Sequence, residues 1–190
     1  KETILIFTSD NGGLATAEGS PTCNFPLSEG KGWMYEGAIR EPLAIVWPDH
    51  IKAGSVCHEP TTSPDFYPTL LELAGIPLQP QQHVDGTSLA PLLLNKQEKL
   101  SREAIFWHYP HYGNQGGTPA SALRCGKWKY VIFYEDNRQC LYNLETDIEE
   151  KHNVSEQHPE LVARFEKMLA NWLIDCKATF PSKNPEYISV

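Results

Sequence analysis

Lys1-Glu2-Thr3-Ile4-Leu5-Ile6-Phe7-Thr8-Ser9-Asp10-Asn11-Gly12-Gly13 decides how the rest of the chain is read. A short continuous apolar run closes in an acidic, glycine-rich turn, the pattern of a strand covered on both faces. Leu43 to Trp47 repeats it, so Thr3 to Thr8 and Leu43 to Trp47 are predicted as strands of a parallel sheet. Doubly apolar strands need neighbours, and this chain by itself is expected to leave sheet edges and apolar surface exposed.

Asp10 and Asn11 place one charged and one neutral oxygen donor where such a strand ends. In open α/β sheets ligands bind beyond the carboxyl ends of strands, and oxygen donors suit a hard cation. The same four residues, Asp10 to Gly13, also make an ordinary turn. Some twenty residues on, Glu29-Gly30-Lys31-Gly32-Trp33-Met34-Tyr35-Glu36-Gly37-Ala38-Ile39-Arg40-Glu41-Pro42 sets a lysine between two glycines. The glycines let the backbone approach a ligand, and the ammonium, a compact point charge, suits a phosphate or sulfate group; the alternative is a solvated loop lysine. No Gly-x-x-x-x-Gly-Lys-[Ser/Thr] loop occurs.

The 190 residues are 41% hydrophobic, enough for a substantial core, and the net charge of −8 opposes nucleic-acid binding, which needs clustered Lys and Arg. Five cysteines, Cys23, Cys57, Cys125, Cys140 and Cys176, form no Cys-x-x-Cys pair and leave at least one thiol without a partner in the chain. No apolar run is long enough to span a membrane. The first residues read as strand rather than as a charged and then apolar leader, so the expectation is either a cytoplasmic protein or a natural N-terminus upstream of Lys1.

Ser63-Pro64-Asp65-Phe66-Tyr67-Pro68-Thr69-Leu70-Leu71-Glu72-Leu73-Ala74-Gly75 predicts a helix with Ser63 as cap, Pro64 at its first position and Gly75 as its stop, begun late or bent by Pro68. Asp85 to Leu94 reads as a turn and a short helix. A polar stretch from Asn95 to Arg102 separates residues 1–100 from residues 101–190. Beyond it, Ala104–Tyr109, Ala120–Arg124, Trp128–Glu135 and Gln139–Leu144 have hairpin spacing and predict a small antiparallel sheet. A helix opening at Pro159 carries the apolar stripe Leu161, Phe165, Met168, Leu169, Trp172 and Cys176, which should pack on that sheet.

His108 and His111 lie among aromatic residues before Gly113-Asn114-Gln115-Gly116-Gly117, either at a pocket mouth, where imidazoles can hydrogen-bond a bound substrate or act as an acid, or packed at a strand end. Their spacing, without a third ligand, makes a poor zinc site. Asn153-Val154-Ser155 matches a glycosylation acceptor.

Taken together, the order Thr-Ser-Asp-Asn-Gly-Gly, Gly-Lys-Gly-Trp-Met-Tyr-Glu-Gly-Ala-Ile-Arg-Glu-Pro, Pro-Thr-Leu-Leu-Glu-Leu-Ala-Gly-Ile and Asp-Gly-Thr-Ser-Leu resembles the C-terminal part of the sulfatases. The resemblance continues through Trp107-His108-Tyr109-Pro110-His111-Tyr112, Leu123-Arg124-Cys125-Gly126-Lys127-Trp128-Lys129 and Leu141-Tyr142-Asn143-Leu144. It implies an α/β fold: the C-terminal portion of an alkaline-phosphatase-like sheet domain, plus a subdomain of antiparallel sheet and long helix. It also implies hydrolysis of a sulfate monoester on a small molecule or glycan, in an extracytoplasmic compartment. Asp10 and Asn11 would ligate Ca2+, and Lys31 would bind the sulfate as part of the catalytic machinery.

The formylglycine nucleophile of that family arises in a Cys/Ser-x-Pro-Ser-Arg motif that no cysteine here matches, so it is expected in an N-terminal part of the same polypeptide. This chain alone should be inactive and should bind calcium very weakly. Ala38 stands where the Tyr-Glu-Gly-Gly-Ile-Arg pattern has a second glycine, and Glu36 and Arg40 are expected as structural partners of the loop rather than catalysts. Two alternatives remain at this point: a phosphodiesterase or phosphatase of the same superfamily, and a non-catalytic sulfated-glycan-binding module.

Overall fold

The computed structural model describes residues 2–16, 19, 22–182 and 184–186. They form two compact units, one from the residues up to Thr8 with Leu43–Glu103, the other from Ser9–Pro42 with the residues from Ala104 onward. Ser9–Pro42, grouped by sequence with residues 1–100, thus clusters with the C-terminal sheet.

In the first unit, β1 (Leu5–Thr8) and β2 (Leu43–Val46) pair antiparallel, Leu5 opposite Val46 and Phe7 opposite Ala44. This corrects the parallel pairing predicted from their apolar runs. Continuous hydrophobicity reports that both faces seek cover, but it carries no information about strand direction. Leu5 is 63% and Phe7 66% exposed. A single 3₁₀ turn, Ser63–Asp65, leads into α2 (Phe66–Leu73), with Gly75 at φ +70° just past its end. The capping position is Thr62 rather than Ser63, because the Thr62 N–H donates to Asp65 Oδ2 at 2.7 Å.

Asp65, fully buried, also accepts from Thr87 N at 2.8 Å and from both terminal nitrogens of Arg102 at 2.8 and 3.0 Å. The Thr69 hydroxyl donates to Asp65 O and accepts from Leu89 N. The Pro-Thr-Leu-Leu and Asp-Gly-Thr-Ser-Leu segments are therefore joined through one carboxylate and one hydroxyl. The second segment runs into α3 (Ala90–Leu93).

The second unit is built on an antiparallel sheet of β3 (Ile105–Tyr109), β4 (Ala120–Cys125), β5 (Trp128–Phe133) and β6 (Arg138–Asn143), in sequential order. Alternation divides it into two apolar faces. Leu123, Tyr130 and Leu141 meet Phe165, Leu169 and Leu173 of α4 (Pro159–Asp175), which covers one face. Cys176 lies beyond the helix and is exposed, so Leu173 takes the place in the stripe that the sequence reading gave to Cys176. Ala120, Ala122, Val131, Phe133, Cys140 and Tyr142 form the other face, where Met34 is buried and Tyr35 packs. The Lys31 loop thus runs across the sheet on the side away from α4.

Asn153 helps set the start of α4: its side-chain oxygen accepts from Leu141 N and Ser155 N while Nδ2 donates to Gln139 O. No described helix is long and apolar enough to cross a membrane.

Candidate functional site

Asp10, Asn11 and Lys31 all belong to the second unit, and the backbone knits their two segments together. The Lys31 N–H donates to Gly13 O at 3.2 Å, and the Gly12 N–H donates to Ala38 O at 3.0 Å. Asn24 closes the gap between them, its amide nitrogen donating to Gly13 O at 2.9 Å and to Glu29 O at 2.8 Å. A Cβ on Gly12 would overlap Gly37 O, so glycine is required there for the turn to reach α1 (Glu36–Ile39). Ala38, in the place of the pattern's second glycine, is buried and still supplies the carbonyl that holds Gly12.

Asp10 is exposed and Asn11 half-buried, with Asn11 Nδ2 donating to Gly12 O at 2.9 Å, which leaves its side-chain oxygen as the atom able to ligate a cation. Burial and the nearby Asp10 charge, in that order, push the Glu41 carboxyl above the usual carboxylate range, and Glu41 Oε1 is buried with no hydrogen-bond partner among the described residues. A carboxylate and an amide oxygen beside an orphaned acidic oxygen suit a hard cation in kind. In number they do not complete its shell, and no group of three His, Cys, Asp or Glu side chains able to hold a metal occurs among the described residues. Lys31 is half-buried, and its ammonium makes no ion pair among the described residues.

α1 is anchored by a buried ionic cluster. Arg124 and Lys129 stand directly opposite on β4 and β5, a like-charge pairing that destabilises a sheet unless an anion intervenes. Glu36 is that anion, with Oε1 3.1 Å from Lys129 Nζ and Oε2 3.5 Å from Arg124 and 3.6 Å from Arg40. Lys129, fully buried, also lies 2.8 Å from Glu150 Oε1, while Glu150 Oε2 accepts from Glu36 N at 2.6 Å. Burial raises the Glu150 pKa, Lys129 and the Glu36 N–H oppose that rise, and the Glu36 charge adds to it. Glu36 and Arg40 therefore act as structural partners of the loop. Sequence reasoning missed Lys129 and Glu150, although a lysine alternating with Val131 and Phe133 on one strand face was a visible signal.

The glycine-rich loop after β3 docks on the Lys31 loop. Gln115 O accepts from Trp33 Nε1 at 3.2 Å and from Thr16 Oγ1 at 2.6 Å, and a Cβ on Gly117 would overlap Gly32 O. His111 is exposed at the head of this loop, with its ring against Tyr109 at 5.4 Å. His108 is placed differently. Its Nε2 lies 2.8 Å from Thr179 O, which only accepts, so Nε2 carries a proton, and in the neutral ring Nδ1 accepts from Ser121 Oγ at 2.6 Å. Ser121 in turn accepts from the Tyr134 hydroxyl at 2.6 Å. Both ring nitrogens of His108 are thus occupied by the sheet and the segment after α4.

The N-sulphoglucosamine sulphohydrolase C-terminal family matches residues 29–177. This chain belongs to the sulfatases. It is 36% identical to a sulfatase of Formosa agariphila over 188 residues, 92% of this chain and 33% of that protein. With arylsulfatase A of Homo sapiens it shares 43% identity over 133 residues, 70% of this chain and 25% of that protein. Ps i-CgsB, solved in complex with k-i-k-neocarrahexaose, superposes with a TM-score of 0.77 at 32% identity, covering 89% of this chain and 36% of that one. The sulfatase chain described here therefore spans a third or less of the length of these two curated relatives, and its fold is the α/β arrangement of the alkaline-phosphatase-like sulfatases.

Proposed function

We propose that this chain is the C-terminal part of an enzyme that hydrolyses sulfate monoesters, and that Lys31, Asp10 and Asn11 are its contribution to the sulfate site. The observation that carries this reading is the joining of the Asp10–Gly13 turn to the Lys31 loop, through Lys31 N to Gly13 O and Gly12 N to Ala38 O, in a chain of sulfatase sequence. Lys31 neutralises negative charge on the sulfate, a contribution that grows as charge builds during ester cleavage. Asp10 and Asn11 would hold Ca2+, which supplies Lewis-acid polarisation of the sulfate oxygens when bound. Its charge would also relieve the repulsion between Asp10 and Glu41.

The formylglycine nucleophile belongs to the N-terminal part of the polypeptide, whose packing would also cover the exposed apolar side chains of β1 and β2. Sugar substrates are favoured by His111 and Tyr109 at the head of the loop docked on Trp33, since aromatic faces stack on pyranose rings. In this reading His108 supports the sheet beneath that loop. An extracytoplasmic location follows from the same family reading.

The test is turnover by the full-length polypeptide, followed as nitrophenol release from 4-nitrophenyl sulfate. Lys31→Ala is expected to lower kcat/KM by about 100-fold or more, the scale for removing one donor to a developing anion. Faster turnover of 4-nitrophenyl phosphate than of the sulfate would overturn the reading.

A further inference from the structure

The two stems of the Lys31 loop are tied to one and the same turn. Before the lysine, Ser28 Oγ donates to Glu149 O at 2.5 Å; after it, Glu36 N donates to Glu150 Oε2 at 2.6 Å. The stems also meet each other, Gly37 N donating to Ser28 O at 2.9 Å. Between them there is little slack, because Trp33 N donates to Gly30 O at 3.1 Å and Met34 is buried against the sheet. Glu150 reaches its place with φ +53°, a left-handed backbone uncommon for a residue other than glycine. Such geometry persists only where the surroundings enforce it, and here Glu150 N donates to Asp147 O while its side chain meets Lys129 Nζ at 2.8 Å.

We propose that Lys129 and Glu150 are positioning residues for Lys31: they grip Glu36 from the sheet side and so fix where the loop presents its ammonium. This deepens the sulfatase reading and rests on Lys31 meeting the sulfate group. Neither residue touches substrate. Their effect travels through Glu36 and the short turn from Gly30 to Trp33, and small misplacements of a charge-neutralising group are costly to catalysis.

The experiment uses the full-length polypeptide labelled with 5-fluorotryptophan, the Trp33 fluorine resonance being assigned by its loss in Trp33→Phe. Lys129→Met, Glu150→Gln and the double variant are compared with Asp65→Asn, a control in the other unit. All three cluster variants are expected to move the Trp33 resonance and to lower kcat/KM for 4-nitrophenyl sulfate by roughly 10- to 100-fold. The control should lower the melting temperature and leave that resonance in place.

Removing both buried charges should restore much of the melting temperature lost in Lys129→Met, since that variant leaves the buried Glu150 carboxylate without its counter-ion while Glu36 keeps Arg124 and Arg40. Activity should not return with it. Recovery of kcat/KM in parallel with the melting temperature, or an unmoved Trp33 resonance in folded variants, overturns the proposal. If Lys129→Met does not fold, Glu150→Gln decides by the same resonance, because it keeps the side-chain volume while removing the charge that locks Glu150 to Lys129. A wild-type protein without aryl-sulfate turnover would instead remove the sulfatase reading, while the fluorine shift still shows whether the cluster sets the loop.

Discussion

Asp65 and Glu36 are both buried carboxylates beside cationic side chains, one in each unit, and they are satisfied in contrasting ways. Asp65 accepts two backbone N–H groups and a bidentate arginine, every contact between 2.7 and 3.0 Å. Glu36 instead faces Lys129, Arg124 and Arg40 at 3.1 to 3.6 Å and shares the lysine with Glu150. Its Oε2 makes no hydrogen bond among the described residues. A carboxylate whose acceptor positions are filled by directional donors consolidates its surroundings. Glu36 is balanced instead by several charges at longer range, so its place behind the loop depends on the cluster as a whole rather than on any one directional bond. The first cluster joins stretches of chain 3 to 37 residues apart, whereas the second bridges separations of 93 and 114.

The largest effect should come from Asp65→Ala, which strands Arg102 and two backbone donors: about 3 to 5 kcal/mol lost in urea denaturation of the full-length protein. Glu36→Gln keeps an acceptor near Lys129 and leaves Glu150 as its counter-ion, so about 1 to 3 kcal/mol is expected in the same measurement. Equal losses would erase the contrast between the two clusters.

Asn153→Ala removes an uncharged side-chain bracket between β6 and the approach to α4, and should cost about 1 kcal/mol. It gives the scale of a neutral contact against which both ionic clusters can be judged.

The smallest signature is a pH slope. Burial raises the Glu150 pKa above its ordinary value of 4.5, so the folded state holds the proton more tightly than the unfolded chain does. Stability should therefore fall as pH rises from near 4.5 through the folded-state value, and Glu150→Gln should flatten that slope in denaturation midpoints measured across the range. A slope unchanged in the variant would mean that the carboxylate is better compensated than its surroundings indicate.

Much of the fold was legible because it rests on periodicity. The four strands of the C-terminal sheet and α4 follow from alternation and from the Leu161-to-Trp172 stripe, and Gly75 marked the end of α2. The direction of β1 against β2 was not legible, because a continuous apolar run is the same in either orientation. Cys176 was misjudged because the stripe was extended one step past the helix end.

In the candidate site, Asp10, Asn11 and Lys31 stood out by residue type and by their glycines, and family resemblance gave them roles. His108 could be found by composition, yet its engagement with Ser121 and Thr179 depends on which strands pair and where the chain returns after α4.

By itself the sequence determined that an acidic, glycine-rich turn is followed by a lysine between two glycines and then by a small sheet and a helix, in an order that resembles the C-terminal part of the sulfatases. Only the tertiary structure decided that Glu149 and Glu150, more than a hundred residues beyond Lys31, hold both stems of its loop, and that Glu36 separates Arg124 from Lys129. Charge pairing at such separations leaves no local pattern. The partners are chosen by strand register and burial, and these exist only once the sheet has formed.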